Sequence, residues 1–174
     1  MKVLVTGYPG TGKSSVAKEL QRRGHAAYDT EAMRSYMHAE SIQTGARIPL
    51  PQPVPRGWFE TAGGYNWDIP RVTTLLNAHE DVFICALADN QEELYDMFDK
   101  IFLLTLNELE MEHRLRLRDT TDYGKDPGEL ADILVHHLHF EQGMLNNVGA
   151  VPVDATHAIP EVVNEILSHI SEGR

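Results

Sequence analysis

Short, almost uninterrupted apolar runs alternate along this chain with segments whose apolar residues return every third or fourth position. The runs Lys2–Thr6, His25–Tyr28, Asp81–Leu87, Lys100–Thr105 and Ala150–Val153 are too short for helices, so each predicts a strand. The third and fourth are apolar nearly throughout, as strands covered on both faces are. Between them, Val16, Ala17 and Leu20 mark a helix that Gly24 ends, and Asp68 with Pro70 opens another carrying Val72, Leu75 and Leu76. Asp126 and Pro127 repeat that start signal. Strands alternating with helices predict an α/β fold, a parallel sheet between helical layers. One stretch breaks the rhythm. From Thr44 to Trp67, Pro49, Pro51, Pro53 and Pro55 forbid regular helix while Trp58, Phe59, Tyr65 and Trp67 cluster, which predicts an ordered functional loop rather than a disordered linker.

Chemistry enters at the first strand-to-helix junction. GYPGTGKSS, Gly7 to Ser15, matches GxxxxGK[ST] in the setting that this motif needs, a phosphate-binding loop. Gly7, Gly10 and Gly12 let backbone N–H groups turn toward phosphate oxygens, Lys13 adds a point charge, and the Ser14 hydroxyl is placed to ligate Mg²⁺. Composition narrows the partners. A length of 174 residues suits one domain, and a net charge of −11 opposes nucleic acid and anionic membranes as principal partners. The lone Cys85 sits in an apolar run and cannot form an internal disulfide, which suits a buried packing role in a reducing compartment. With neither a cleavable leader nor an apolar stretch of roughly 18 residues, the expectation is a cytoplasmic protein.

A phosphate loop alone leaves kinases, GTPases, ATPases and transporters open. No NKxD segment is present to read guanine, and the chain is too short for a large ATPase. Asp29-Thr-Glu31 follows the second strand. Arg114 and Arg118 share a helix face four residues apart, ahead of the polar stretch Asp119 to Gly128. Gly149 to Thr156 precedes a closing helix with Pro160, Val162, Val163 and Ile166. In this combination the chain resembles, over nearly its full length, the nucleoside monophosphate kinase and shikimate kinase group of phosphate-loop kinases, the adenylate-kinase-like NTPases.

The resemblance implies a three-layer αβα fold on a five-stranded parallel sheet of order 2-3-1-4-5, with a lid over residues 114–128 and an acceptor-binding insert over 44–71. It further implies Mg·ATP held by Gly7, Pro9, Gly10, Thr11, Gly12, Lys13, Ser14 and Ser15, with Arg114 on adenine and Asp154 and Ala155 along the base. Ser14 and Asp29 would hold the metal, Lys13 and Arg118 would offset phosphoryl charge, and Asp29, with Glu31 behind it, would take the acceptor's proton. Arg34 and Arg56 would bind an anionic acceptor, Trp58 and Trp67 a planar one. Simpler roles stand beside these: a helix cap for Asp29, a Glu110 ion pair for Arg114, a turn for Asp154, core packing for the tryptophans. Asp89 reads as an N-cap for the helix of Leu94, Met97 and Phe98 rather than a metal ligand, and His136, His137, His139 and Glu141 as a solvated face. The DG[FY]PR signature of nucleoside monophosphate kinases is replaced by Cys85 to Asn90, so a nucleotide acceptor is not implied. The expected activity is transfer of the γ-phosphoryl group of Mg·ATP to a small-molecule acceptor, a nucleoside or nucleotide or another small hydroxyl compound, by a monomer or homodimer; the alternatives are an ATP-binding regulator and a simple ATPase.

Overall fold

Strands that are apolar on both faces need cover on both faces, and the fold supplies it. The computed structural model describes residues 1–119 and 121–171. Along the chain come β1 (Lys2–Thr6), α1 (Lys13–Arg22), β2 (Ala27–Asp29), β3 (Met37–Ser41), β4 (Arg47–Ile48), α2 (Trp58–Thr61), β5 (Gly63–Trp67) and α3 (Ile69–Asn77). Then follow β6 (Val82–Cys85), a 3₁₀ helix over Gln91–Met97, β7 (Lys100–Thr105), α4 (Glu108–Leu117), α5 (Pro127–Gly143) with a π-helical end over Met144–Val148, β8 (Val151–Asp154) and α6 (Ile159–Ser171). Thr120, inside the expected lid, and residues 172–174 lie outside the described residues.

The main sheet is parallel throughout, in the order β2-β6-β1-β7-β8, which is 2-3-1-4-5 when its strands are counted along the chain. Side chains alternate across it. Val3 and Val5 of β1 join Val16 and Leu20 of α1 and Val162, Val163 and Ile166 of α6 on one face. Leu4 points the other way, into Val72, Leu75 and Leu76 of α3 with Leu94 and Phe98. Full burial of each such side chain is worth about 1.5–3 kcal/mol, so the alternation is strongly held. Cys85 ends β6, fully buried, opposite Val5 of β1 on one side and Asp29 of β2 on the other. The expected punctuation is in place: Gly24 adopts φ 88° just past α1, Asp68 caps α3 by accepting from the Arg71 N–H, and Asp126 caps α5 by accepting from Gly128.

The insert is more regular than its sequence suggests. A second sheet, antiparallel and ordered β4-β3-β5, runs from just before the insert through it. Its strand β5, Gly63-Gly-Tyr-Asn-Trp67, has poor strand composition because Gly63 has another duty: a Cβ there would sit 2.4 Å from the Trp58 ring. Packing against Trp58 overrides propensity at that point. Among the described residues no helix is long and apolar enough to cross a membrane.

Candidate nucleotide and acceptor cleft

The chain leaves the central strand β1 at Thr6 and must turn sharply into α1. Gly10 and Gly12 make that turn with φ of 92° and 99°, in the region where a side chain is strained. Gly7 solves a different problem, since a Cβ there would lie 2.8 Å from the Leu104 carbonyl oxygen and 2.7 Å from Thr11 Oγ1. Thr11 is buried and its hydroxyl donates to the Tyr8 carbonyl at 2.8 Å. Gly7 and Thr11 therefore shape the loop, while Pro9, Gly10, Gly12, Lys13, Ser14 and Ser15 line a cleft of about 2150 Å³ over the carboxyl ends of the strands. The first-turn N–H groups of Lys13 and Ser14 have no carbonyl partner within α1, which has no side-chain cap, so they offer positive potential to an anion.

Lys13 is 7% exposed; its Nζ donates to the Gly7 carbonyl at 2.7 Å and lies 3.3 Å from the Glu31 carboxylate. Glu31 also accepts from the Leu87 N–H at 2.7 Å, so it ties the loop lysine to the end of β6. Asp29 lines the same cleft from the end of β2 and accepts from Ala32 N–H at 3.2 Å, a local turn bond compatible with its capping role. Of the acidic pair it is Glu31, the lesser expectation, that touches Lys13.

Another wall comes from α4 and the stretch after it, the place expected for a lid. Arg114 lines the cleft from α4, paired with Glu110 at 2.7 Å. Arg116 turns away onto Glu112. Arg118 follows the last residue of α4 and reaches the Tyr123 carbonyl with Nη2, while its Nε is buried without a hydrogen-bond partner among the described residues. Burial lowers its pKa, opposed by Glu31, Tyr123 and Glu129. Both arginines thus reach the cleft, but from different local settings.

Helix α5 ties the insert to the stretch that follows α4. Glu129 is 4% exposed, and its oxygens accept from Val54 N–H of the insert at 2.6 Å and Gly124 N–H of the lid at 2.8 Å. Along the same helix Asp132 accepts from Gly57 N–H at 2.5 Å, and His136 pairs with Glu60 at 2.5 Å. Spacings of three and four place all three residues on one face. Nothing in the sequence singles them out, because Glu129, three residues past its cap, reads as an ordinary first-turn acid. Tyr8, Phe59, Tyr65 and Tyr123 complete the walls. The Tyr8 phenol is pushed up to about 12, first by burial and then by the carboxylates of Asp89, Asp132 and Glu60. Burial also raises Tyr123, with Tyr8, Glu129, Asp89 and Asp132 adding to it.

Several expected contacts take other forms. Trp67 is 1% exposed, stacks obliquely on Phe98 and donates Nε1–H to Thr30 Oγ1 at 2.9 Å, so it has no face for an acceptor. Trp58 is buried with Ala39 and Val54, and Phe59 beside it lines the cleft instead. Arg56 points to Asp132 at 3.4 Å and stays outside the lining, whereas Arg34 lies in it. Ala155 is buried and Asp154 closes a turn by accepting from Thr156; the cleft wall at that end is His157, Ala158 and Ile159. Asp89 is not a cap: its carboxylate accepts from Tyr65 N–H at 2.6 Å, joining the end of β6 to the insert, and desolvation raises its pKa against that bond. Asn90 stands at the helix start without a capping bond and instead holds both backbone groups of Trp67. The histidine cluster is only partly solvated, because His137 is fully buried.

A glycine loop feeding a helix from the central strand of a 2-3-1-4-5 parallel sheet defines a phosphate-loop domain with the fold of the small kinases. The chain belongs to the AAA domain family, whose profile matches residues 3–135. Among solved structures it is similar to a deoxyadenosine kinase from M. mycoides with bound dATP, at 13% identity over 98% of this chain and 99% of that one, with a TM-score of 0.63. A shikimate kinase from Acinetobacter baumannii in complex with shikimate is 14% identical over 99% and 94% of the two chains, TM-score 0.60. A gluconokinase from Sinorhizobium meliloti 1021 is 19% identical over 98% and 91%, TM-score 0.55. At these identities the likeness is one of fold. No curated protein matches the sequence significantly.

Proposed function

We propose that this protein is a cytoplasmic ATP-dependent kinase that transfers the γ-phosphoryl group to the hydroxyl of a small molecule. The observation that carries this reading is the position of Lys13, whose ammonium borders one cleft shared by the phosphate loop, the lid arginines and the insert. Phosphoryl transfer asks the protein chiefly to align the reactants, keep water out and neutralise charge on the equatorial oxygens. Lys13 would exchange its Gly7 and Glu31 contacts for phosphate oxygens, and the unpartnered Nε of Arg118 is a donor available to the transferring group. Arg114, on the outer part of the lid, is suited to the nucleotide base. The Ser14 hydroxyl and the Asp29 carboxylate both line the cleft beside Lys13 and fit Mg²⁺, which usually takes few protein oxygens and keeps waters. When bound there, the ion would supply positive charge that offsets the charge of the phosphates. Asp29 orients the acceptor hydroxyl and receives its proton; Glu31 positions Lys13.

The test is ADP release by the purified protein with Mg·ATP, with and without a panel of nucleosides, sugars, amino sugars and hydroxy acids. Acceptor-dependent release, with a phosphorylated product, supports the kinase reading. Release that no acceptor stimulates indicates an ATPase, and ATP binding without release indicates a regulator.

A further inference from the structure

The charge of the acceptor can be argued from what lines its half of the cleft. Cationic clamps for an acid would have to come from the arginines around the insert, and three of them are already turned onto carboxylates. Arg47 reaches Asp68 at 2.6 Å, Arg71 the same residue at 3.6 Å, and Arg56 reaches Asp132 at 3.4 Å. Arg34 remains in the lining. Against it stand Glu60, Asp89, Glu92 and Asp132, brought from α2, the end of β6, the 3₁₀ helix and α5; Asp132 already meets Arg56 and Glu60 meets His136, whereas Asp89 and Glu92 have no cationic partner among the described residues. Their fields converge: Asp89, Asp132 and Glu60 together act on the Tyr8 hydroxyl, which lies in the phosphate loop itself. Between these carboxylates the walls are aromatic, with Tyr8 tilted on Phe140 at 5.4 Å and Phe59 edge-on to Tyr123 at 6.3 Å. Carboxylates alternating with ring faces favour a cation and repel an anion.

Resting on the kinase reading above, we infer that the acceptor is a small hydroxyl compound carrying a protonated amine, held by Asp89 and Glu92 with Glu60 adding its field, among the rings of Tyr8, Phe59 and Tyr123. The amine is bound and does not react. The hydroxyl oxygen forms the new bond to the γ-phosphorus, the bond from that phosphorus to the β-bridging oxygen breaks with its electron pair going to ADP, and the hydroxyl proton passes to Asp29 and then to water. The global charge of −11 acts in the same direction, drawing cations toward the cleft.

Matched triplets isolate the charge: glucosamine, glucose and glucuronate, and serinol, glycerol and glycerate. Each is tested for ADP release with Mg·ATP and, by saturation-transfer NMR, for binding to protein holding a nonhydrolysable ATP analogue. We expect the amine of a triplet to exceed its neutral twin by about tenfold or more in kcat/KM and in binding, and the acid to be weakest. Glu60→Gln combined with Glu92→Gln, both at exposed positions, should bring the amine-to-neutral ratio toward one. A purely structural effect of these changes would lower both members alike and leave the ratio unmoved. A neutral or acidic member preferred over its amine overturns the inference and leaves the kinase reading standing. No stimulated ADP release from any member, with amine-selective binding intact, overturns phosphoryl transfer but keeps the charge selection; absence of both removes the two together.

Discussion

Lys13 concentrates the proposed chemistry in one ammonium group held by the Gly7 and Tyr8 carbonyls and the Glu31 carboxylate. Lys13→Ala should leave the fold intact, since the loop is shaped by Gly7, Gly10, Gly12 and Thr11, and lower turnover by on the order of 10² or more. A folded variant with full turnover, compared by circular dichroism and steady-state kinetics, would remove the loop from catalysis. Asp89 makes a different statement at the same scale. Its pKa is raised in the folded protein, so its ionised form disfavours folding: the stability it contributes is full at low pH and is lost as pH rises through the raised value. Asp89→Asn keeps an oxygen for the Tyr65 N–H and carries no charge. The variant should therefore be more stable than the parent at neutral pH, with the difference shrinking as pH falls through the carboxylate range, read by urea unfolding at a series of pH values. A gain that grows toward low pH would contradict the sign.

Among the elements, α5 has the widest reach. Glu129→Ala leaves the N–H groups of Val54 and Gly124 without acceptors in a buried setting, at a cost of about 1–3 kcal/mol for each. Limited proteolysis should cut the insert and the lid faster in this variant while the main sheet persists; Glu129→Gln, with one acceptor oxygen left, should fall between. Equal protection of both segments would mean that Glu129 is not what holds them. This element also marks the boundary of what the sequence discloses. The β1 run, the GKS triplet and the Asp68 and Asp126 caps are local signals, each satisfied within a few residues, and they were legible. Glu129, Asp132 and Asp89 act on backbone groups many positions away in the chain, and no spacing rule links an acid to a distant N–H. The tryptophans misled for a related reason: a cluster of aromatics signals burial and ligand contact equally, and only packing against Gly63 and Phe98 decides for burial.

For the whole molecule, the parallel sheet followed from alternating apolar runs and its strand order from the family resemblance, whereas the small antiparallel sheet stayed hidden because β3 is polar at alternate positions, β4 has two residues and β5 carries two adjacent glycines. Inside the larger sheet, at the end of β6, Cys85 acts as a clock. Its thiol is fully buried and burial raises its pKa, so an alkylating reagent reaches the reactive thiolate only when the sheet parts. Being the chain's one cysteine, it gives a labelling rate that counts openings of a single place. An ATP analogue that binds only the closed form should slow this clock by the factor 1 + [L]/Kd, about a hundredfold at a hundred times Kd. That slowing measures affinity without turnover or an acceptor. A rate indifferent to the nucleotide would mean that β6 parts from its neighbours while the phosphate loop stays whole.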